Sequence, residues 1–173
     1  MNLIECTHAE HARAILDILN DAIVHSTALY DYQPRTLDSM RTWFDIKGRS
    51  RFPVLGAVDD AGTLLGFASY GSFRPHPAYK YSVEHSIYVH RDHRGQGIGR
   101  ELLLRLLDRA AEQQYHVVIG CIDRENTASV ALHEKLGFEP AGIIRHAGFK
   151  FGRWLDLAFY QRILATPAEP VDG

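Results

Sequence analysis

Apolar positions along the chain switch between two periods. Ala12, Ile15, Leu16, Leu19 and Ile23 recur at helical spacing behind Thr7, and predict a capped helix from about His8 to Val24. Thr36, with Asp38 and Ser39 behind it, predicts a second helix to about Lys47. Residues 2–6 read as a short strand. Pro53 to Val58 and Leu64 to Ser72 read as a hairpin turning at Asp59-Asp60-Ala61-Gly62. Between the second helix and the first sit a polar and aromatic loop, Ser26 to Arg35, and after the hairpin comes a Pro-rich connection, Phe73 to Lys80. Val83 to His90 is a predicted strand, followed by a glycine-rich turn and a helix from Ile98 to Gln113 whose leucines, Leu102 to Leu107, form a core face. Val117 to Ile122 is β-branched and predicts a buried strand. Asn126 to Leu136 predicts a short helix stopped at Gly137. Phe138 to Ile144 and Phe149 to Tyr160 predict two closing strands, and Ala165 to Gly173 a loose tail. Hairpins outnumber βαβ units, so the class is α+β with a mixed or mostly antiparallel sheet.

The turn before the third long helix carries the chemistry. Gly95, Gly97 and Gly99 alternate where a strand hands over to a helix. Such a junction presents free backbone N–H groups at the positive end of a helix dipole, which suits a phosphate. The spacing separates the candidate ligands. GxGxG is one position short of the dinucleotide pattern GxGxxG, and no acidic residue closes a second strand about 20 residues on. A P-loop needs Lys-Ser or Lys-Thr after its last glycine, and this chain has Arg100-Glu101.

Composition narrows the field. At 173 residues the chain fits one domain, expected over 1–164 with 165–173 as a flexible tail. The net charge of −2 carries no basic block, which argues against nucleic acid and anionic membranes as partners. Cys6 and Cys121 make no disulfide framework, and no apolar run reaches the ~20 residues of a membrane span, so a cytoplasmic protein is expected. His8/His11 and His90/His93 are spaced i, i+3 without a third ligand, so no metal is expected.

Arg94-Gly95-Gln96-Gly97-Ile98-Gly99 fits Arg/Gln-x-x-Gly-x-Gly/Ala, and about 30 residues later Asn126 precedes a helix ending in HEKLGF, His133 to Phe138. Together these motifs resemble the coenzyme A loop and the following helix of the GNAT N-acetyltransferases. Through EHSIYVH, NTASVALHEKLGF and AGFKFGRWLDLAFYQ, the chain resembles the phosphinothricin acetyltransferase-like branch over nearly its whole length. That branch acetylates phosphinothricin, methionine sulfoximine and methionine sulfone.

The resemblance implies a bent mixed sheet flanked by helices and splayed between its fourth and fifth strands, with acetyl-CoA in the splay. It implies backbone contacts from Ile87, Tyr88 and Val89 to the pantetheine arm. Gly95, Gln96, Gly97, Ile98, Gly99 and Arg100 would meet the pyrophosphate, and Asn126 and Lys135 would also touch the cofactor. A strand N–H near Val89 would face the developing oxyanion. An α-amine has a pKa near 8, so the bound ammonium must lose a proton; Glu84 is the candidate base, directly or through a water. His133 stands where many GNATs carry a tyrosine acid, and is the candidate acid or part of a proton relay. Arg74 suits a substrate carboxylate. Pro75, His76, His85 and Ser86 would border the substrate with Arg74 and Glu84, and Tyr32 and Tyr81 would add contacts. Cys121 reads as a small apolar filler, since GNATs transfer directly in a ternary complex. The family forms homodimers, with Gly148 to Trp154 near the partner. Other readings stay open: a GNAT for a polyamine, aminoglycoside or protein N-terminus, or a silent acetyl-CoA-binding module.

Overall fold

Thr7 and Thr36 open the first two helices as the pattern requires. In the computed structural model, which describes residues 1–172, both threonines are extended and accept the N–H of the residue three positions on. Each such cap is worth roughly 1 kcal/mol. Helix α1 is His8–His25 and α2 is Leu37–Arg49. The remaining elements are β1 (Asn2–Glu5), β2 (Val54–Val58), β3 (Leu64–Ser72), β4 (Ser82–Val89), α3 (Ile98–Glu112), β5 (Val117–Asp123), α4 (Thr127–Lys135), β6 (Glu139–Lys150) and β7 (Arg153–Ile163). The seven strands are ordered β1-β2-β3-β4-β5-β7-β6. Only β4 and β5 run parallel among the registered pairs; β1–β2, β2–β3, β5–β7 and β6–β7 are antiparallel.

The chain forms two compact units, and β3, β4 and α3 each contribute to both. The first holds residues 1–69 and 86–106. Its core sets the apolar face of α1, with Ala12, Ile15, Leu16 and Leu19, against Met40 of α2 and Val54, Val58 and Phe67 of the β2–β3 hairpin. Trp43 and Tyr88 close on the Phe67 ring at centroid distances of 6.3 and 5.5 Å.

The second unit holds residues 70–85 and 107–172. Strand β5 pairs on one side with β4, from Ser82↔Val117 to His85↔Gly120, and on the other with β7, from Val117↔Ile163 to Asp123↔Leu157. The β4–β5 ladder ends at the His85↔Gly120 rung, although β4 runs on to Val89 and β5 to Asp123. These are the two strands between which the resemblance implies a splay.

The closing strands differ from the sequence reading. The break expected between Ile144 and Phe149 is not a turn. β6 passes through it with a register shift, accommodated by the left-handed backbone of His146 at φ 55°. The chain reverses later, at Phe151 and Gly152, both at positive φ and flanked by the Lys150↔Arg153 pair. A two-residue turn of this kind matches the twist of the strands it joins. The Pro-rich connection contains one short 3-10 turn, Pro77–Tyr79. In the C-terminal segment, Thr166 Oγ1 donates to Tyr115 O at 2.5 Å and Val171 N–H donates to the Tyr81 hydroxyl at 3.1 Å. Gly173, the last residue of the expected tail, lies outside the described residues.

Candidate active site

In the first unit, β4 leads through a 3-10 turn, Arg91–His93, into the glycine turn and α3. Gly95 and Gly97 have φ of +76° and +82°, and a Cβ on either would meet nothing within 4 Å. Glycine is therefore set here by backbone conformation, which costs other residues roughly 1–2 kcal/mol, and the space beside the turn is open. The first bond of α3 runs from Glu101 N–H to Gly97 O at 3.2 Å, so the N–H groups of Ile98, Gly99 and Arg100 stand at the helix's positive end ahead of it. The Ile98 side chain is buried, leaving only its backbone for a ligand. Gln96 is exposed, and Arg100 is exposed with its guanidinium on Glu101 at 2.6 Å. An open turn lined by helix-head N–H groups fits a diphosphate.

One supporting residue here was not singled out from the sequence. Asp21 of α1, half-buried, lies 3.2 Å from Arg91 and 3.9 Å from Arg94, and Arg94 Nε donates to Val89 O at 3.3 Å. The aspartate thus anchors both arginines beside the turn. Its signal would have been its place on the polar edge of an otherwise apolar helix face, too weak to find alone. Ile87, Tyr88 and Val89 are half-buried, and beyond His85 no β5 partner occurs for β4 among the described residues.

In the second unit the expected substrate residues fall into two groups. Alternation along β4 sends Glu84 and His85 to opposite faces. On one face Arg74 Nη1 lies 4.0 Å from Glu84 Oε2. The Arg74 guanidinium is held by the Phe73 carbonyl at 2.7 Å and lies 4.1 Å over the Phe73 ring. The Cys121 thiol joins this group by a hydrogen bond to Glu84. Burial first, then the Glu84 charge and bond, push it up to about 12, so it is a protonated thiol at neutral pH. Arg74, Pro75 and His76 also line a cleft of about 220 Å³ with Tyr79, Ser82 and Tyr115.

On the other face His85 and His133 meet, both buried. Their Nε2 atoms are 2.9 Å apart, the rings are 19° from coplanar and the centroids are 5.0 Å apart. A centroid separation so much longer than the nitrogen separation means the rings meet edge to edge, in line for an N–H···N bond. His133 Nδ1 is 2.7 Å from the Ser129 carbonyl, one helical turn back, and the Phe138 ring packs edge-on against both imidazoles. Burial lowers both histidines, His85 to about 3, with the His133 charge as its second cause; the Ser129 carbonyl partly opposes the shift at His133. Both rings are therefore neutral at pH 7.

The remaining expected residues have mixed placements. Asn126 Oδ1 caps α4 by accepting the Ser129 N–H at 3.1 Å, which leaves its amide NH₂ for a ligand. Lys135 and Tyr32 are exposed, Ser86 is half-buried, and the Tyr81 hydroxyl is bonded to Val171. Ser129 and Gly120 were not singled out, because their parts are a carbonyl and an absent side chain, neither of which has a motif; Phe138, the last residue of HEKLGF, sets its ring edge against the two histidines. No group of three or more His, Cys, Asp or Glu able to hold a metal occurs among the described residues, nor does any helix long and apolar enough to cross a membrane.

Comparison with known proteins gives this geometry its family. The acetyltransferase (GNAT) family model matches residues 13–138. An L-methionine sulfoximine/L-methionine sulfone acetyltransferase of Pseudomonas aeruginosa is 47% identical over 147 residues, 85% of this chain and 86% of that protein. An Acinetobacter baylyi protein described as an acetyltransferase is 57% identical with a TM-score of 0.98, over 99% of this chain and 96% of the other. A phosphinothricin acetyltransferase from Sinorhizobium meliloti, solved in complex with acetyl-CoA, is 35% identical with a TM-score of 0.94, over 99% and 94%. With the glycine turn, the ladder that stops at His85 and these matches in agreement, the chain belongs to the acetyltransferase (GNAT) family.

Proposed function

We propose that this N-acetyltransferase moves an acetyl group from acetyl-CoA directly to the α-amine of small glutamate- or methionine-like amino acids. Methionine sulfoximine, methionine sulfone and phosphinothricin are the expected acceptors. The observation that carries the reading is the Arg74–Glu84 pair, a guanidinium and a carboxylate 4.0 Å apart. An α-amino acid carries its carboxylate and its amine on one carbon, and needs a cation for the first beside a proton acceptor for the second. The names of the Pseudomonas and Sinorhizobium relatives support the same acceptors.

In this reading each residue has a stated part. Backbone groups of Ile87, Tyr88 and Val89 align the pantetheine arm as an added strand would. The N–H groups from Gly95 to Arg100 take the pyrophosphate. The Val89 N–H faces the oxygen on which charge develops. Arg74 orients the acceptor carboxylate, with Pro75, His76 and Ser86 at its border. Glu84 removes the first proton from the ammonium, directly or through a water. His133 serves the later proton transfer, and Asn126 and Lys135 add cofactor contacts. The active form is a single acetyltransferase domain, residues 1–164, in a cytoplasmic homodimer. Ile144, Phe149, Phe151 and Trp154 on the exposed β6–β7 hairpin supply an apolar face for the partner.

The test is release of free CoA from acetyl-CoA against methionine sulfoximine, methionine sulfone, phosphinothricin, spermidine, an aminoglycoside and a peptide N-terminus. Saturable turnover confined to the first three is the expected result. Turnover confined to amines without a carboxylate would overturn the acceptor assignment and keep the family.

A further inference from the structure

The hydrogen bonds of the buried histidine pair fix where its protons sit. The Ser129 carbonyl can only accept, so His133 Nδ1 carries hydrogen. His133 is neutral at pH 7, so its Nε2 is a bare lone pair. The 2.9 Å contact then requires His85 Nε2 to be the donor, which leaves His85 Nδ1 as a bare acceptor. That nitrogen is fully buried and has no hydrogen-bond partner among the described residues. Three of the four ring nitrogens are thus engaged and one is not. Leaving a buried acceptor without a donor is unfavourable, and such an atom is a place where a ligand group or a proton is expected.

A proton added to Nδ1 of His85 need not stay there. As it arrives, the Nε2 proton can pass to His133 Nε2 along the short in-line contact. His85 is then neutral again as the Nδ1–H tautomer, and the charge rests on His133. There the Ser129 carbonyl and the negative end of α4, whose last turn holds His133, favour it. Among the described residues the Phe138 ring and Gly120, neither ionisable, face the pair, and after burial the proximity of His133 is the second cause of the lowering at His85. His85 also occupies the last rung of the β4–β5 ladder, so it borders the end of the paired sheet.

We propose that His85 and His133 work as one proton carrier whose point of exchange is Nδ1 of His85. His133 is a positioning residue that holds the charge and acts through His85. The proposal rests on the acetyl-transfer reading and assigns the second proton of that reaction. Glu84 takes the first proton from the ammonium. As the C–N bond forms, the nitrogen sheds a second proton, which a water relays to the buried His85 Nδ1 on the other face of β4. As the C–S bond breaks, His85 Nδ1 returns that proton by the same relay to the departing thiolate. The pair begins and ends neutral, and one proton remains on the amide.

Two-bond ¹H–¹⁵N spectra of the unmodified protein test the tautomers without any turnover. The expected pattern at pH 7.5 is Nδ1–H for His133 and Nε2–H for His85. On acidification both rings should change at one shared midpoint, with His85 switching to Nδ1–H. A His133 carrying its hydrogen on Nε2, or two independent midpoints, would overturn the proposal. In the kinetic arm, His85→Gln and His133→Gln each lower kcat by about 10²-fold with little change in the KM for acetyl-CoA. The double variant is no worse than either single, because the two act as a unit. Full kcat in His85→Gln beside a deficient His133→Gln would overturn the proposal. If the unmodified protein acetylates no acceptor, the function reading fails while the tautomer result still stands.

Discussion

Gly120 stands directly behind the His85 ring: a Cβ built on it would lie 3.0 Å from His85 Nε2 and 3.2 Å from His133 Nε2. A Cβ at that rung would be tight against both Nε2 atoms, so the rings would have to give by a few tenths of an ångström. The contact is tight on both sides, since Ser129 holds His133 and the β4 backbone holds His85. Gly120→Ala is expected to separate the rings and to destabilise the fold by about 1–3 kcal/mol. Thermal melting checks the stability, and loss of the shared His85–His133 titration midpoint checks the geometry.

Buried neutral histidine makes the fold sensitive to acid. Unfolded, His85 binds a proton below about 6.5; folded, it does not until about 3. Between those values the unfolded state holds more protons, so stability falls as pH falls through that window. Denaturant midpoints from pH 7 to pH 4 should drop progressively. His85→Gln should flatten that slope, and an unchanged slope would assign the acid sensitivity to other groups.

The Cys121 thiol, pushed up to about 12, is almost wholly protonated at neutral pH and so a poor nucleophile. Iodoacetamide at pH 7.5 should label it slowly in the folded protein and readily after unfolding. Cys121→Ala should keep most of the turnover. Abolished turnover together with a trapped acetyl-thioester on Cys121 would instead indicate a covalent route.

Arg74 is judged by selectivity rather than by rate alone. Arg74→Lys keeps the charge but loses the planar fork that pairs with a carboxylate. The KM for methionine sulfoximine is expected to rise about tenfold or more, with the KM for acetyl-CoA unchanged. Equal losses with spermidine and with the sulfoximine would remove Arg74 from the acceptor site.

The turn at Gly97 can be tested by conformation. Its φ of +82° disfavours alanine although space is free. Gly97→Ala should cost roughly 1–2 kcal/mol of stability and weaken acetyl-CoA binding, read by calorimetry. Retained affinity would show that the pyrophosphate does not depend on this backbone.

Much of this protein is written in local pattern. Thr7 and Thr36 cap where their side chains predict, because capping involves only the next three residues. The α1 face, the hairpin and the helix starting at Ile98 follow from periods of 3.6 and 2, which adjacent residues set. The glycine turn was legible too, since three alternating glycines before a helix have few other uses. The β6 bulge was not. Arg145 to Gly148 reads as a break, and only the pairing with β7 carries the strand through His146 to the turn at Phe151.

Residues 84, 85 and 133 show the same division within the site. The resemblance was enough to nominate Glu84 and His133 as proton-handling groups and His85 as a residue bordering the substrate. Their grouping was not legible, because strand alternation parts Glu84 from His85, and a chain separation of 48 residues hides the contact of His85 with His133. Nothing near His85 in sequence indicates that a carbonyl at Ser129 fixes its tautomer, or that an empty position at Gly120 admits its ring. Side-chain chemistry is local and can be read from the letters. Protonation state, partner and reach depend on burial and on atoms from distant segments, and these exist only once β4, β5 and α4 have packed together.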